Sequence, residues 1–327
     1  MTVKGKKILI TGGTGFIGSA TAERLADDND LVLYDLKAGG PIEYTDLLSR
    51  PNVQFVQGDI CDPVAMEAAL EGVDIVIHAA AVVGVHNVLS KPRLTIETNF
   101  TGTQVLLSLL KDRKLDRFVY FSTSEVFGGA SFRADEAHHA TIGTIQEARW
   151  SYSIAKLAGE HLCYAYYREF GLPVVIVRPF NVFGPKRTGD HAMLRFVLGA
   201  LQDQPLEVHG DGSQVRAWCY IDDFVDALLE TLTNEAAVGE DFNIGNPMNT
   251  LTIYELAKRT ISLAQSKSEI IFHHIDYSDI DIRVPRTVKA REVLNWKPKF
   301  ETDEGVTATL DWYRDHLDAF ADRFSEG

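Results

Sequence analysis

The stretch KILITGGTGFIG, Lys7 to Gly18, decides how the rest of the chain is read. Its first five residues are a short apolar run of the kind that fills a strand buried on both faces of a parallel sheet. Gly12, Gly15 and Gly18 follow at once. The first permits the tight turn out of the strand, the second lets backbone approach a pyrophosphate, and the third lets the next helix pack close. Helical sequence from Ser19 to Ala26 then offers free amides and the positive end of its dipole to a phosphate. A glycine pattern alone is weak evidence, but this one lies between a strand and a helix, and a second strand, LVLYD, follows and ends in Asp35. A carboxylate there accepts hydrogen bonds from an adenosine ribose and repels a 2′-phosphate, favouring NAD over NADP. The competing reading of Asp35 is an ordinary strand-end charge.

Working outward, VQFVQGD at 53–59 brings Asp59 near the place of an adenine, and VDIVIHAAA at 73–81 ends in small residues, among them Ala79 and Ala81, that leave room for a cofactor. Strand and helix signals alternate to about residue 180. Helical stretches run over Pro63–Leu70, from about Leu94 to Lys111 and from Tyr152 to Phe170, with strands RFVYFST at 117–123 and PVVIVRP at 173–179. This order predicts an α/β fold, a Rossmann-type doubly wound parallel sheet, with a smaller C-terminal α/β substrate domain. Beyond Asn181 the pattern loosens into GPKRTGD, a helix near 191–203 and the pair LEVHGDGS, while WCYIDDFVDALLETL and FNIG rejoin the first domain. The expected division is 1–180 plus about 219–245 for the cofactor, and about 181–218 and 246–327 for the substrate.

Chemistry concentrates in STSEV at 122–126 and YSIAK at 152–156. Tyr152 and Lys156 are four residues apart, so on a helix they share one face about one turn apart. An ammonium there favours the tyrosinate by charge, and the Thr123 hydroxyl can share a substrate proton, which is the chemistry of hydroxyl oxidation. An isolated Tyr-x-x-x-Lys is more often a packed ring and a solvated charge; the glycine loop upstream is what favours the chemical reading.

The 327 residues suffice for one large domain and a smaller one, and the net charge of −14 argues against nucleic acid or an anionic membrane as partner. No apolar stretch approaches the roughly 20 residues of a membrane-spanning helix, and the first residues lack a signal-peptide pattern, so a cytoplasmic protein is expected. Cys61, Cys163 and Cys219 are scattered and without metal spacing, which suits reduced thiols.

GGTGFIG, HAAA, STSEVFG, YSIAK, RPFNVFGP, GDGSQVRAWCYIDD, FNIGNP and RVPRTVKAREVLNWKPK together resemble the extended short-chain dehydrogenase/reductase family of nucleotide-sugar enzymes over nearly the whole chain. STSEV with RWSY and FNIGNP is similar to the UDP-glucuronate decarboxylases and the UDP-apiose/UDP-xylose synthases within it. The resemblance implies NAD as cofactor, a UDP-linked sugar as substrate and a transient 4-ketone. Tyr152, kept ionised by Lys156, would take the proton of the sugar 4-hydroxyl held by Thr123. A C5 carboxylate would then be lost as carbon dioxide; without it, reduction from the other face gives a 4-epimer, and a third route eliminates water across C5 and C6. Ser124 and Glu125 stand where such enzymes choose among these routes, in the decarboxylases for hydrogen bonds and proton delivery near C5. A 4-epimerase is the alternative, followed by a 4,6-dehydratase, which Ser124 in place of the usual Asp disfavours, and a catalytically silent NAD-binding regulator, which the intact Thr123, Tyr152 and Lys156 disfavour.

The same resemblance implies cofactor contacts at Thr14, Phe16, Ile17, Ile60 and Asn99, in addition to Gly12, Gly15, Gly18, Asp35, Asp59, Ala79, Ala81, Tyr152 and Lys156. On the substrate side it implies Val83, Asn181, Arg187, Val208, Arg216 and Arg283, the last two as diphosphate clamps and Arg283 also as a reader of a sugar carboxylate. Two departures stand out: Phe127 replaces a common Tyr, and Arg286 replaces a common Asp, placing an extra positive charge close to the phosphates. A homodimer through helices 94–111 and 152–170 is the implied assembly. The pairs His138/His139 and His273/His274 lack metal-ligand spacing, His78 reads as packing near the cofactor, and the Tyr164, Tyr166 and Tyr167 cluster as packing or pairing with a partner helix; no metal is expected.

Overall fold

Seven parallel strands form the centre of the computed structural model, which describes residues 3–277 and 279–324. Their order across the sheet is Asp241–Ile244, Val174–Pro179, Arg117–Phe121, Ile75–His78, Lys7–Thr11, Asp30–Asp35 and Val53–Gln57. The order reverses direction beside Lys7–Thr11, and in such sheets a ligand binds outside the carboxyl ends of the strands at that switch point. Thr11, Asp35, His78 and Phe121, which close their strands, therefore face one common edge.

Leu9, Ile10, Val76, Ile77, Val119 and Val177 are fully buried, because helices cover both faces of the sheet. The helix after the glycine loop runs Phe16–Leu25 rather than from Ser19, since Gly15 in extended backbone caps it one turn earlier than its helix-forming residues suggest. Pro92–Leu110 likewise starts on its proline, whose fixed φ suits a first turn. It lies beside Ser151–Phe170, the helix of Tyr152 and Lys156.

A four-stranded sheet of Thr250–Thr252, Val215–Ala217, Ile282–Pro285 and Ala130–Ala134 faces the carboxyl edge of the main sheet. Ala130–Ala134 belongs to the segment assigned to the cofactor in the sequence, yet it pairs in parallel with Ile282–Pro285. In Val215–Ala217 and Ile282–Pro285, Arg216 and Arg283 are register partners, which puts their side chains next to each other on one face. FNIG lies within the edge strand Asp241–Ile244 and Gly245, and the helix Ile221–Thr233 packs Phe224 against Phe121. No helix among the described residues is long and apolar enough to cross a membrane.

Candidate active site

At the glycine loop, Gly12 has φ +70°, and a Cβ there would stand 2.8 Å from the Ala80 amide nitrogen. A Cβ on Gly18 would reach 2.1 Å from the Gly12 carbonyl oxygen, and one on Gly15 would reach 3.2 Å from the same atom. Side chains are excluded from a concave backbone surface at a helix start, which is the cradle a pyrophosphate needs. The Asp35 carboxylate accepts hydrogen bonds from the Thr14 hydroxyl at 2.7 Å and from the Thr14 amide at 3.2 Å, tying the end of the second strand to the loop. Asp59 accepts from the Cys61 amide at 2.9 Å, while Ile60 packs against Gly102 of the neighbouring helix. Asn99 accepts from the Val82 amide at 2.7 Å and donates to its carbonyl at 3.0 Å, which holds the Ala79–Ala81 segment in place. Phe16 supports the Arg187 guanidinium 5.1 Å above its ring, and Ile17 sits half-buried in the first helical turn. The residues expected for NAD thus meet at one edge, around a cradle shaped for a dinucleotide.

Beyond the cradle, the Thr123 hydroxyl caps the short turn Ser124–Phe127 by accepting from the Glu125 amide at 3.2 Å. Burial pushes the Tyr152 phenol well above its ordinary range and Glu125 adds to the rise; the Thr123 hydroxyl and the charges of Arg283 and Arg149 oppose it. The Lys156 ammonium is buried, donates to the Phe121 carbonyl at 2.7 Å and lies 5.0 Å over the Tyr120 ring. Burial lowers its pKa to about 8. His78 is sealed in, with Nδ1 2.7 Å from the Thr11 hydroxyl and Nε2 3.1 Å from that of Thr103, and burial lowers its pKa to about 3, so it stays a neutral packed ring.

Tyr152 opens on a cleft of about 550 Å³ between the two sheets. Arg149, Arg187, Arg195, Arg216 and Arg283 line it together with Glu125, Asp190, Glu207 and Asp279, so its cations outnumber its carboxylates by one on a chain of negative net charge. Arg149 is a site residue that the sequence reading passed over, although it stands in the quoted RWSY. It grips Glu125 with both arms of its fork, Nη1 to Oε2 at 2.5 Å and Nη2 to Oε1 at 3.1 Å. Arg283 approaches the same carboxylate at 3.6 Å. Burial alone would raise the Glu125 pKa, but Arg283 and Arg149 bring it below the ordinary glutamate value. An ionised Glu125 has no proton to give, so the delivery role implied by the resemblance does not suit this arrangement. Ser124 is buried beside it in the turn.

Asn181 lines the cleft with φ +38°, fixed by its side-chain bond to the Ala217 carbonyl at 2.9 Å. Arg187 is half-buried, and desolvation lowers it to about 10; its Nε is without a hydrogen-bond partner, as are Nε and Nη2 of Arg283. Arg216 leans toward Asp279 at 3.5 Å. Val83 borders the cleft mouth. Val208 does not border it: its side chain is fully buried against Gly212, and strand alternation turns its neighbours Glu207 and His209 to the cleft instead. Arg286 is also away from the expected phosphates, on the exposed side, paired with Asp135 at 3.2 Å. Lys186 pairs with Glu23 at 2.6 Å. No cluster of metal-ligating side chains occurs among the described residues.

A dinucleotide seated on the loop would end near the half-buried Tyr152 phenol, with guanidinium groups beyond it for an anionic substrate, an organisation that suits an NAD-dependent enzyme. The sequence profile of the NAD dependent epimerase/dehydratase family matches residues 8–245, and the chain belongs to that family. It is 35% identical, over 95% of its length and 98% of the relative's, to a UDP-N-acetyl-alpha-D-glucosaminuronate decarboxylase of Bacillus cytotoxicus. It is 32% identical, over 95% and 90%, to a dTDP-D-glucose 4,6-dehydratase of Bos taurus. Among solved structures it is similar to UDP-glucuronic acid 4-epimerase of Bacillus cereus in complex with UDP-glucuronic acid and NAD, with a TM-score of 0.86 and 30% identity over 95% of this chain and 99% of that one.

Proposed function

We propose that this enzyme decarboxylates a UDP-linked uronate, glucuronate or its 2-acetamido counterpart, through a transient 4-ketone. The observation behind the reading is Arg283. It lines the cleft with Tyr152 and Glu125, its one ion-pair contact among the described residues being the 3.6 Å approach of Nη1 to Glu125, and Nε and Nη2 have no partner, while Arg187 and Arg216 remain for a diphosphate. A buried guanidinium with open donors is costly beside a neutral hexose and well matched to a carboxylate on C5. A decarboxylase and a 4-epimerase, both acting on uronates by name, are among the similar proteins.

In this reading Tyr152 takes the 4-hydroxyl proton, and Thr123 holds the oxygen that loses it. NAD accepts the C4 hydride and later returns it, and its oxidised ring brings positive charge against the field that keeps Tyr152 protonated. Lys156, one turn on, adds a second cation. With a ketone at C4 the C5 carboxylate belongs to a β-keto acid: the C5–C6 bond breaks, carbon dioxide leaves, and the electron pair passes to the C4 oxygen. Water protonates C5, and Tyr152 returns its proton to the 4-oxygen as the ketone is reduced. Residues 1–180 with about 219–245 serve the cofactor, and about 181–218 with 246–327 the nucleotide sugar; Met1, Thr2, Ser278 and residues 325–327 of these segments lie outside the described residues. Helices Pro92–Leu110 and Ser151–Phe170 present Ile96, Ile154 and Tyr164 outward, a face suited to a second copy of the chain across a two-fold axis.

Proton NMR of the protein with NAD and each UDP-uronate in heavy water tests the reading. A pentose spectrum with loss of C6 supports it. A galacto-configured uronate makes the enzyme a 4-epimerase, and unchanged spectra with both substrates overturn the uronate reading.

A further inference from the structure

Glu125 is the acid placed nearest the reacting end of the cleft, and a carboxylate beside a 4-keto sugar is a hazard as well as a resource. The ketone acidifies the C5 hydrogen. A free base there removes it: the C5–H pair shifts into an enolate on O4, and water returns a proton to C5, so the position exchanges. With a leaving group on C6 the same base opens elimination. Resting on the uronate reading above, we propose that Arg149 is a positioning residue that occupies both oxygens of Glu125 and so keeps this carboxylate from acting as a base toward C5.

The geometry supports this from several sides. Arg149 is buried in the short turn Ala148–Trp150, which runs directly into the helix of Tyr152. The turn is pinned by the Trp150 indole, which donates to Glu147 at 2.8 Å and fills the space left by Gly143, where a Cβ would stand 2.0 Å from the ring nitrogen. The fork meets the carboxylate through two bonds, at 2.5 and 3.1 Å, an arrangement that fixes orientation as well as charge. Arg283 takes a share of Oε1 at 3.6 Å, which links the clamp to the guanidinium proposed to read the substrate carboxylate. The charged and titratable groups acting on Glu125 are Arg149 from the turn, Arg283 and Arg216 from the small sheet, and Tyr152 from the helix; Asp279 and Tyr277 act in turn on Arg149. Buried without its fork, Glu125 would lose a cation and two hydrogen bonds, and desolvation would then make it more basic.

Two measurements on the full chain with NAD bound test the proposal. In carboxyl-labelled glutamate NMR, with the Glu125 signal assigned by its absence in Glu125→Gln, the signal in the unaltered protein titrates below the ordinary glutamate range, and Arg149→Gln moves the midpoint up by more than one pH unit. In heavy water, UDP-glucuronate recovered before completion carries no deuterium at C5 from the unaltered enzyme, gains it from Arg149→Gln, and loses it again in the Arg149→Gln/Glu125→Gln double variant. Arg149→Lys, which keeps the charge and loses the fork, gives an intermediate titration. An unchanged Glu125 midpoint in Arg149→Gln, or exchange that survives removal of Glu125, overturns the proposal. If the unaltered enzyme does not oxidise a UDP-uronate at all, the uronate reading fails, while the titration still decides whether Arg149 controls Glu125.

Discussion

Lys156 is a cation held away from water, and its energetics show how a single residue can be set against the fold that contains it. Burial lowers its pKa from 10.5 to about 8. Between those values the unfolded chain binds a proton that the folded chain has lost, so folding stability from this group rises with pH across that window and its cost is fully present below it. The cost is on the order of 3 kcal/mol. Lys156→Met in the cofactor-free protein is therefore expected to unfold at higher denaturant than the unaltered chain at pH 7, with the difference shrinking toward pH 10; a difference constant with pH would contradict this. Tyr152→Phe belongs to the same scale. Loss of its proton transfer is expected to cost roughly 10²–10⁴-fold in turnover, and NAD should remain bound. Activity assays paired with cofactor retention on gel filtration check both parts, and unimpaired turnover would remove Tyr152 from the chemistry.

At the scale of elements, the glycine loop and a buried ion pair set where the active-site helix lies. Gly18→Ala drives a Cβ into the Gly12 carbonyl, so NAD affinity should fall sharply, and thermal stabilisation by added NAD should vanish with it. Behind the helix, Arg178 meets Glu160 through two bonds at 2.7 Å and Asp241 at 2.8 Å, joining the Tyr152 helix to the last two strands of the sheet. Its guanidinium also lies 5.3 Å over Phe127, in the turn that carries Glu125. Arg178→Met leaves Glu160 buried without its partner, and a loss of about 3–5 kcal/mol in denaturant unfolding is expected. Elements were largely legible in the sequence, because a strand buried on both faces reads as an apolar run and glycines mark the tight turns. The helix Val85–Ser90 and the strand Ala130–Ala134 were not. The first is six residues long, too short for the helical period to show, and the second exists because Ile282–Pro285 pairs with it from more than a hundred residues away.

At the scale of the whole molecule, the exposed apolar residues on Pro92–Leu110 and Ser151–Phe170 carry a prediction about assembly. Ile154→Glu with Tyr164→Glu is expected to convert a dimer to a monomer in sedimentation, with the Rossmann sheet still folded by circular dichroism; a monomer before substitution would remove the two-fold interface from the proposal. The sequence by itself determined the parallel sheet, the glycine turn before the first helix and the placing of Tyr152 and Lys156 on one helix face, because each follows from local rules of spacing, turn geometry and helix periodicity. Tertiary structure alone decided the charge environment of the cleft. Arg149, Glu125, Arg216 and Arg283 come from a turn, a second turn and two strands of another sheet, and whether such groups pair, stay open or face solvent depends on distances that separated segments acquire only on folding. The same reason turns Arg286 away to Asp135 and hides Val208 behind Glu207 and His209.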